Sequence, residues 1–348
     1  MFRNICIKNF RGIKECSFLN FSRVNFFYGR NNSGKSTVLE SLFLLSGIST
    51  PIILIRENSM RDYSRLSESD ISAFFYNFDT EKEICFSAIE DAGIGRSASI
   101  STISKQAMTF STDMGAVQEF RTNGTKSDFG LSYSFSVGDD FKKNVSMKIK
   151  ENTSGVSVSI PRINGYAEKY VTVYLPPVFQ FSVMLDKLAE IIKNKQKQNI
   201  INGLRIIEDG VKDIAILNNE VFVDIGLNQF VPLKLMGDGM KKILSILISV
   251  YTCNGGAVIV DEIDNGLHYS AISPLIRLIS EACNRYNVQF FASTHSKEIL
   301  DQIFNLSDIN LSDFNFYTLY KKSGETESRC LNGVAAKKAH EQWGLEIR

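Results

Sequence analysis

The segment Gly29-Arg-Asn-Asn-Ser-Gly34-Lys35-Ser36-Thr37 fits the pattern G-x-x-x-x-G-K-[ST]. Those residue types at that spacing handle phosphate. Gly29 and Gly34 let the backbone curl so that the N–H groups of the arc, Arg30, Asn31, Asn32 and Ser33, point inward. The start of a following helix adds unpaired N–H groups and the positive end of its dipole. Lys35 can reach the β- and γ-phosphates of a nucleoside triphosphate, and the Ser36 hydroxyl can ligate Mg²⁺. The bland alternative is an accidental Gly-rich turn; at ordinary residue usage a chance match in this length is on the order of one per cent.

Three further segments could complete a site. Val258-Ile-Val-Asp261-Glu262 is an apolar run that delivers two adjacent carboxylates. Asp261 would hold Mg²⁺, and Glu262 would polarise an attacking water as general base. An acidic pair after a strand is often only a turn, but the phosphate loop upstream supplies what the pair lacks. Ser293-Thr-His295-Ser296 places a histidine where it could bond a γ-phosphate or the attacking water. Gly237-Asp238-Gly239 opens a helix that runs through Lys241 and Lys242. It reads either as an anion-binding helix start or as a simple N-cap by Asp238.

The elements that must position these residues follow from hydrophobic period. Ile5–Ile7 and Arg23–Tyr28 read as strands, and 35–45 as a helix stopped by Gly47. Residues 82–175 turn rich in Ser, Thr and Gly, with strict alternation at 131–137 and 156–160 and a hairpin signal at Asn123-Gly124. Helices are expected at 183–192 and 200–214, with a solvated polar run at 193–199 between them. Residues 239–252 form an amphipathic helix, 257–260 a buried strand, 272–286 a helix and 288–292 a strand. Strand, helix, strand at this spacing is a βαβ unit, so the core is α/β with a parallel sheet. There is no heptad tract for a long coiled coil.

Composition bounds the rest. The chain has 348 residues, 44% hydrophobic and 22% charged, which excludes a disordered or collagen-like chain. Lys plus Arg is 39 and Asp plus Glu is 38, so net charge offers no global case for nucleic acid or membrane binding. The six cysteines form no C-x-x-C pair and no zinc spacing, and read as buried reduced thiols. The start has no signal-peptide pattern and no window is apolar enough to span a bilayer, so a cytoplasmic location is expected.

Taken together, these segments resemble ABC-type ATPases of the SMC/RecF branch, and more narrowly the OLD-family ATPase domain. The resemblance rests on Asn9-Phe-Arg-Gly-Ile13, Val24 through Thr37, Met236-Gly-Asp-Gly-Met-Lys-Lys242, Asp261-Glu-Ile-Asp-Asn-Gly-Leu-His268 and Ser293-Thr-His-Ser296. It covers about residues 1–48 and 205–306. It implies an ABC-type P-loop ATPase with a mixed, mainly parallel core sheet, a β-rich insertion and a helical lobe. As one domain over 1–348, the chain would divide into a first core part at 1–81, the insertion at 82–175, a helical region at 176–235 and a second core part at 236–348. It also implies ATP and Mg²⁺ as ligands and a homo-oligomer with at least a dimer of ATP sites. Residues 29–37, Asp261, Glu262 and His295 would then act in cis. Gly237, Asp238, Gly239 and Asp264 would act in trans, and Arg11 would match an early nucleotide-contacting arginine.

Two departures stand out. Where transporters carry Ser followed by two Gly, this chain has Gly237 and Asp238 before Gly239. Asp238 repels a γ-phosphate unless it faces Mg²⁺ or a partner cation, and Lys241 or Lys242 could compensate. The stretch after His295 is also too short for the TOPRIM nuclease domain that OLD proteins usually carry. The resemblance therefore implies a separate effector, such as a TOPRIM-type nuclease, as in anti-phage systems similar to PARIS. A RecF-like repair ATPase that binds DNA is the alternative; a transporter subunit and a binding switch with little turnover are weaker readings.

Overall fold

The computed structural model describes residues 1–59, 68–103, 129–152, 155–161, 163–178, 181–205 and 208–343. Its elements in chain order are β1 (Phe2–Phe10), β2 (Ile13–Phe18), β3 (Val24–Tyr28), α1 (Lys35–Ser46), α2 (Ile52–Ser59), α3 (Glu68–Ser72), β4 (Ile84–Glu90), β5 (Gly95–Ile103), β6 (Phe129–Val137), β7 (Phe141–Asn152) and β8 (Gly155–Ser159). Then follow β9 (Thr172–Leu175), α4 (Leu185–Lys193), α5 (Lys197–Leu204), β10 (Asp213–Leu217), β11 (Glu220–Asp224), β12 (Val231–Pro232), α6 (Asp238–Thr252), β13 (Ala257–Val260), α7 (Tyr269–Arg285), β14 (Gln289–Thr294), α8 (Lys297–Asn305), β15 (Phe314–Lys322), β16 (Glu325–Asn332) and α9 (Gly333–Trp343). The chain divides into two compact units. One holds Phe18–Ser46 and Lys169–Arg348, the other Phe2–Ser17 and Gly47–Glu168.

The first unit is built on a six-stranded sheet of order β16-β15-β3-β14-β13-β9. All neighbours pair in parallel except the edge hairpin β15–β16. Its strands read as near-continuous apolar runs because both faces are covered. On β9, Val173 and Leu175 join the large cluster that includes α6 and α7, while Tyr174 stacks on Phe43 of α1 from the other side. The α6 stripe Met240, Ile243, Leu244, Leu247 and Ile248 is buried in that same cluster.

The second unit is a seven-stranded sheet of order β2-β1-β4-β5-β6-β7-β8. Period-two alternation puts Leu131, Tyr133 and Phe135 inward, while on β5 and β6 Ser97 pairs with Ser136 and Ser99 with Ser134 on the outward face. A buried ionic cluster sits inside it. Arg96 bonds Glu90 at 3.2 Å and also pairs with Glu168, whose other oxygen accepts from the Ser49 N–H at 2.9 Å. The hairpin signal at Asn123-Gly124 lies outside the described residues.

Local structure departs from expectation in several places. The helix expected at 200–214 ends at Leu204, and Asp213 begins a three-stranded antiparallel sheet β10-β11-β12. The turn between its first two strands has Asn218 at φ 51° and Asn219 at φ 59°. Two asparagines in the left-handed region make the primed hairpin turn that matches strand twist, and the pairing it locks overrides the helical spacing. The expected strand 5–7 extends to Phe2–Phe10 because β4 pairs along most of its length. Thr172–Leu175, within the Ser- and Thr-rich region, pairs in parallel with β13 instead of joining the antiparallel sheet. The cysteines are all free, with Cys16, Cys253 and Cys283 buried, Cys6 and Cys85 half-buried and Cys330 exposed, so the expectation of buried thiols fails for the last. Among the described residues, no helix is long and apolar enough to cross a membrane.

Gly256 connects α6 to β13, where a Cβ would lie 1.9 Å from the Val171 carbonyl oxygen. Backbone cannot yield as a side-chain tip can. Gly256→Ala should therefore destabilise the first unit by about 1–3 kcal/mol. A lowered urea midpoint with an unchanged slope checks this.

Candidate functional site: a sheet edge that gathers a phosphate loop and three carboxylates

The register of the parallel strands builds the site. Tyr28 pairs with Thr294 and Thr318, and Ala292 pairs with Val260. Gly29, His295 and Asp261 therefore emerge together at the carboxyl edge of the sheet, where open α/β sheets bind ligands.

The phosphate loop closes between β3 and α1. Gly34 lies at φ 104° and Asn32 at φ 63°. A Cβ on Gly29 would meet the Leu319 carbonyl oxygen at 2.4 Å and Ser33 Oγ at 2.8 Å, so only glycine fits. Lys35 is buried, and its Nζ donates to the carbonyls of Gly29 (2.7 Å) and Arg30 (3.0 Å). Burial pulls its pKa down, and Asp261, Glu262 and Asp264 pull it partly back. Arg30, Asn31 and Asn32 are exposed, Ser33 and Thr37 are buried, and Ser36 is half-buried in the first turn of α1. A cleft of about 490 Å³ opens beside the loop, lined among others by Tyr28, Arg30, His295, Tyr320 and Lys321.

Asp261 is 2% exposed, and its Oδ1 accepts from the Ser293 hydroxyl. The same hydroxyl oxygen accepts from the Glu262 N–H at 2.8 Å. Glu262 is half-buried at φ 48°, a region that residues with a Cβ rarely adopt. Two turns follow, closed by Asn265 N–H to the Glu262 carbonyl at 3.0 Å and Leu267 N–H to the Asp264 carbonyl at 3.1 Å. Asp264 Oδ2 lies 3.7 Å from Nδ1 of the half-exposed His295, and Asp264 Oδ1 is buried with no hydrogen-bond partner. His268 caps α7 by accepting from the Ser270 N–H.

The segment Gly237-Asp238-Gly239 forms the start of α6. The cap is Gly237, at φ 82°, and Asp238 is the first helical residue, so the reading of Asp238 as N-cap is corrected. The turn through Gly266 packs against it: a Cβ there would lie 3.3 Å from Asp238 Cβ. Lys241 ion-pairs with Asp238 at 3.0 Å. Lys242 turns the other way, is buried, and donates from Nζ to the Asp261 carbonyl at 3.0 Å.

The edge thus brings together residues 29–37, Asp261, Glu262, Asp264 and His295. Arg11 belongs to the second unit, at φ 49°, with its guanidinium over the rings of Phe10 and Phe74 at 5.4 and 5.5 Å. Sequence reading did not single out Ser293 or assign Lys242 its partner. Ser293 had a signal, its place at the end of the strand beside Val260. Lys242 had one in its place beside the apolar pair Ile243 and Leu244, on the part of α6 that turns inward, whereas Lys241 pairs with Asp238 near solvent.

This fold and edge define an ATPase domain of the AAA/ABC type. The family model described as "AAA domain, putative AbiEii toxin, Type IV TA system" matches residues 24–301, and the chain belongs to that family. A protein of Helicobacter pylori named "ATP/GTP phosphatase" is 26% identical over 342 residues, covering 88% of this chain and 90% of that protein. An uncharacterized protein of Methanocaldococcus jannaschii, MJECL10, is 36% identical over 95 residues, covering 23% of this chain and 43% of that protein. The fold is that of SMC head domains. A head bound to the C-winged helix domain of ScpA has a TM-score of 0.52 at 14% identity, covering 97% of this chain and 99% of that one. A head from Pyrococcus furiosus bound to the C-terminal domain of ScpA has a TM-score of 0.50 at 12% identity, covering 99% of each.

Ser293→Ala removes the hydroxyl that bridges Asp261 and Glu262 and leaves the phosphate loop untouched. Turnover should fall about a hundredfold while nucleotide affinity changes little. Parallel kcat and nucleotide-binding measurements check the split.

Proposed function

We propose that this chain is an ATPase whose ATP-dependent closure against a second copy controls a separate effector, a nuclease in anti-phage defence. The observation that carries it is the division of the site. The phosphate loop, Asp261, Glu262 and His295 converge on one edge. The start of α6 instead faces outward: Leu235 is 72% exposed and the Asp238 side chain 86%. Backbone donors at a helix start with no charged ligand of their own suit the γ-phosphate of a nucleotide held by another copy. In this reading Gly237, Asp238, Gly239 and Asp264 act in trans, and Arg11 contacts nucleotide.

The residues fit a Mg²⁺ ion. Ser36 and Asp261 offer only oxygen donors, the hard ligands that Mg²⁺ takes, and they lie on the one sheet edge that gathers the phosphate loop. Ser36 and Asp261 would hold the ion, which when bound would neutralise phosphate charge. The chain's own groups do the rest. The loop N–H groups and Lys35 bind and orient the phosphates. Glu262 takes a proton from the attacking water at its carboxylate. His295 faces the γ-phosphate.

The family description names a toxin of a toxin–antitoxin system, the Helicobacter relative is named for ATP and GTP, and both solved SMC heads hold a partner protein. These support an NTPase that acts on or through another protein. The OLD-like assignment rests on the motif blocks at 9–13, 24–37, 236–242, 261–268 and 293–296.

Light scattering of wild type and Glu262→Gln, with and without Mg-ATP, tests the reading after gentle purification with neighbouring gene products. Glu262→Gln should trap ATP and hold a closed oligomer, and a co-purifying effector should remain bound. Lys35→Ala should weaken nucleotide binding at least tenfold. A size unchanged by ATP in Glu262→Gln would overturn closure. Retained DNA with no protein partner would shift the function to a repair-type clamp.

A further inference from the structure

The peptide unit joining Asp261 to Glu262 is held at both ends. Its carbonyl accepts from Lys242 Nζ at 3.0 Å, and its N–H donates to Ser293 Oγ at 2.8 Å. The next peptide is held as well, its Ile263 N–H donating to the Ser293 carbonyl at 3.0 Å, and the two planes together fix the φ of Glu262, which sits at 48°. A carboxylate-bearing residue stays in that region only where its surroundings over-determine it. Ser293 belongs to the neighbouring strand and cannot move without the sheet. Lys242 belongs to α6, one helical turn beyond Asp238. It is 4% exposed, on a stretch where Ile243, Leu244 and Ser245 are also buried.

We infer that Lys242 is a positioning residue: it couples the start of α6 to the aim of the Glu262 carboxylate through the Asp261 carbonyl. Packing makes α6 a rigid element, so a shift at Gly237–Gly239 moves the Lys242 ammonium with it. The Asp261–Glu262 peptide then tilts, and Glu262 gains or loses its line to the attacking water. The ammonium also faces Asp261, Glu262 and Asp264, whose charges offset the lowering of its pKa by burial. Lys35 faces the same three carboxylates from α1. Lys35 answers to the phosphate loop of its own chain, and Lys242 to whatever engages the outward start of α6. Hydrolysis in one copy would thereby depend on contact made by another.

The inference rests on Glu262 being the general base, and a mutant cycle separates the two. Lys242→Met keeps the aliphatic stem and removes the donor. Single-turnover hydrolysis should fall at least tenfold, while ATP affinity stays within about threefold of wild type. In the Glu262→Gln background the same substitution should cause no further loss, since nothing remains to be aimed. Lys242→Arg, which keeps a buried cation and donor, should recover most of the rate. Lys242→Leu, which also lacks a donor, serves in the same cycle if the methionine variant does not fold. Normal hydrolysis in Lys242→Met beside an inactive Glu262→Gln overturns the coupling alone. An equal loss from Lys242→Met in both backgrounds does the same. Full turnover in Glu262→Gln overturns the base assignment and the coupling with it.

Discussion

Everything at the site depends on the register of the parallel strands β3, β14 and β13. Their pairing sets Tyr28 level with Thr294 and Val260 level with Ala292, so three unrelated segments reach the same edge within two residues of one another. A slip of one residue would turn every side chain to the opposite face. Both faces are dry here. Val258 and Val260 join the cluster around α6, while Phe27, Phe291 and Tyr317 stack on the other side. A slip would therefore change both layers of packing at once. That penalty holds Ser293 against Asp261, and it shows why packing residues far from any phosphate matter to the chemistry.

The second constraint is electrostatic. Burying an ammonium is expensive unless carboxylates and hydrogen-bond acceptors repay the lost water. Lys35 donates to two main-chain carbonyls and Lys242 to one, and each feels the same three acidic groups. Removing one member would leave its partners buried and uncompensated, so the group behaves as one unit. Glu262 adds backbone strain, on the order of 1–3 kcal/mol for a residue held in such a region. The peptide clamp and the two turns after it keep that strained shape in place.

What was legible in the sequence was local. The phosphate loop, the acid-terminated strand and the strand before His295 each declare themselves within a dozen residues, because glycine, apolar run and charge follow one another along the chain. The α6 stripe was equally plain. What was illegible depended on partners far away. The alternation around Ile214 could not compete with helical spacing until Asn218-Asn219 closed a hairpin with β11. Lys242 looked like the neighbour of Lys241, and only the helix face separates them: one meets Asp238 in solvent, the other meets Asp261 in the interior. Strand β1 appeared as a fragment because β4, more than seventy residues later, supplies its hydrogen bonds.

Asp238 also becomes intelligible once its surroundings are known. A carboxylate in the first turn of α6 complements the helix dipole, and its pair with Lys241 is exposed and contributes little. The isolated chain therefore tolerates this departure from the transporter pattern without loss. The repulsion arises only if a γ-phosphate approaches, as in the closure proposed above. Gly237 and Gly239 would then leave the backbone donors reachable, and Lys241 would be near enough to share between the carboxylate and the incoming phosphate. In that closure, an ATP-loaded pair with this segment would be less strongly drawn together than one with two neutral residues there. Closure would then be sensitive to the cations present.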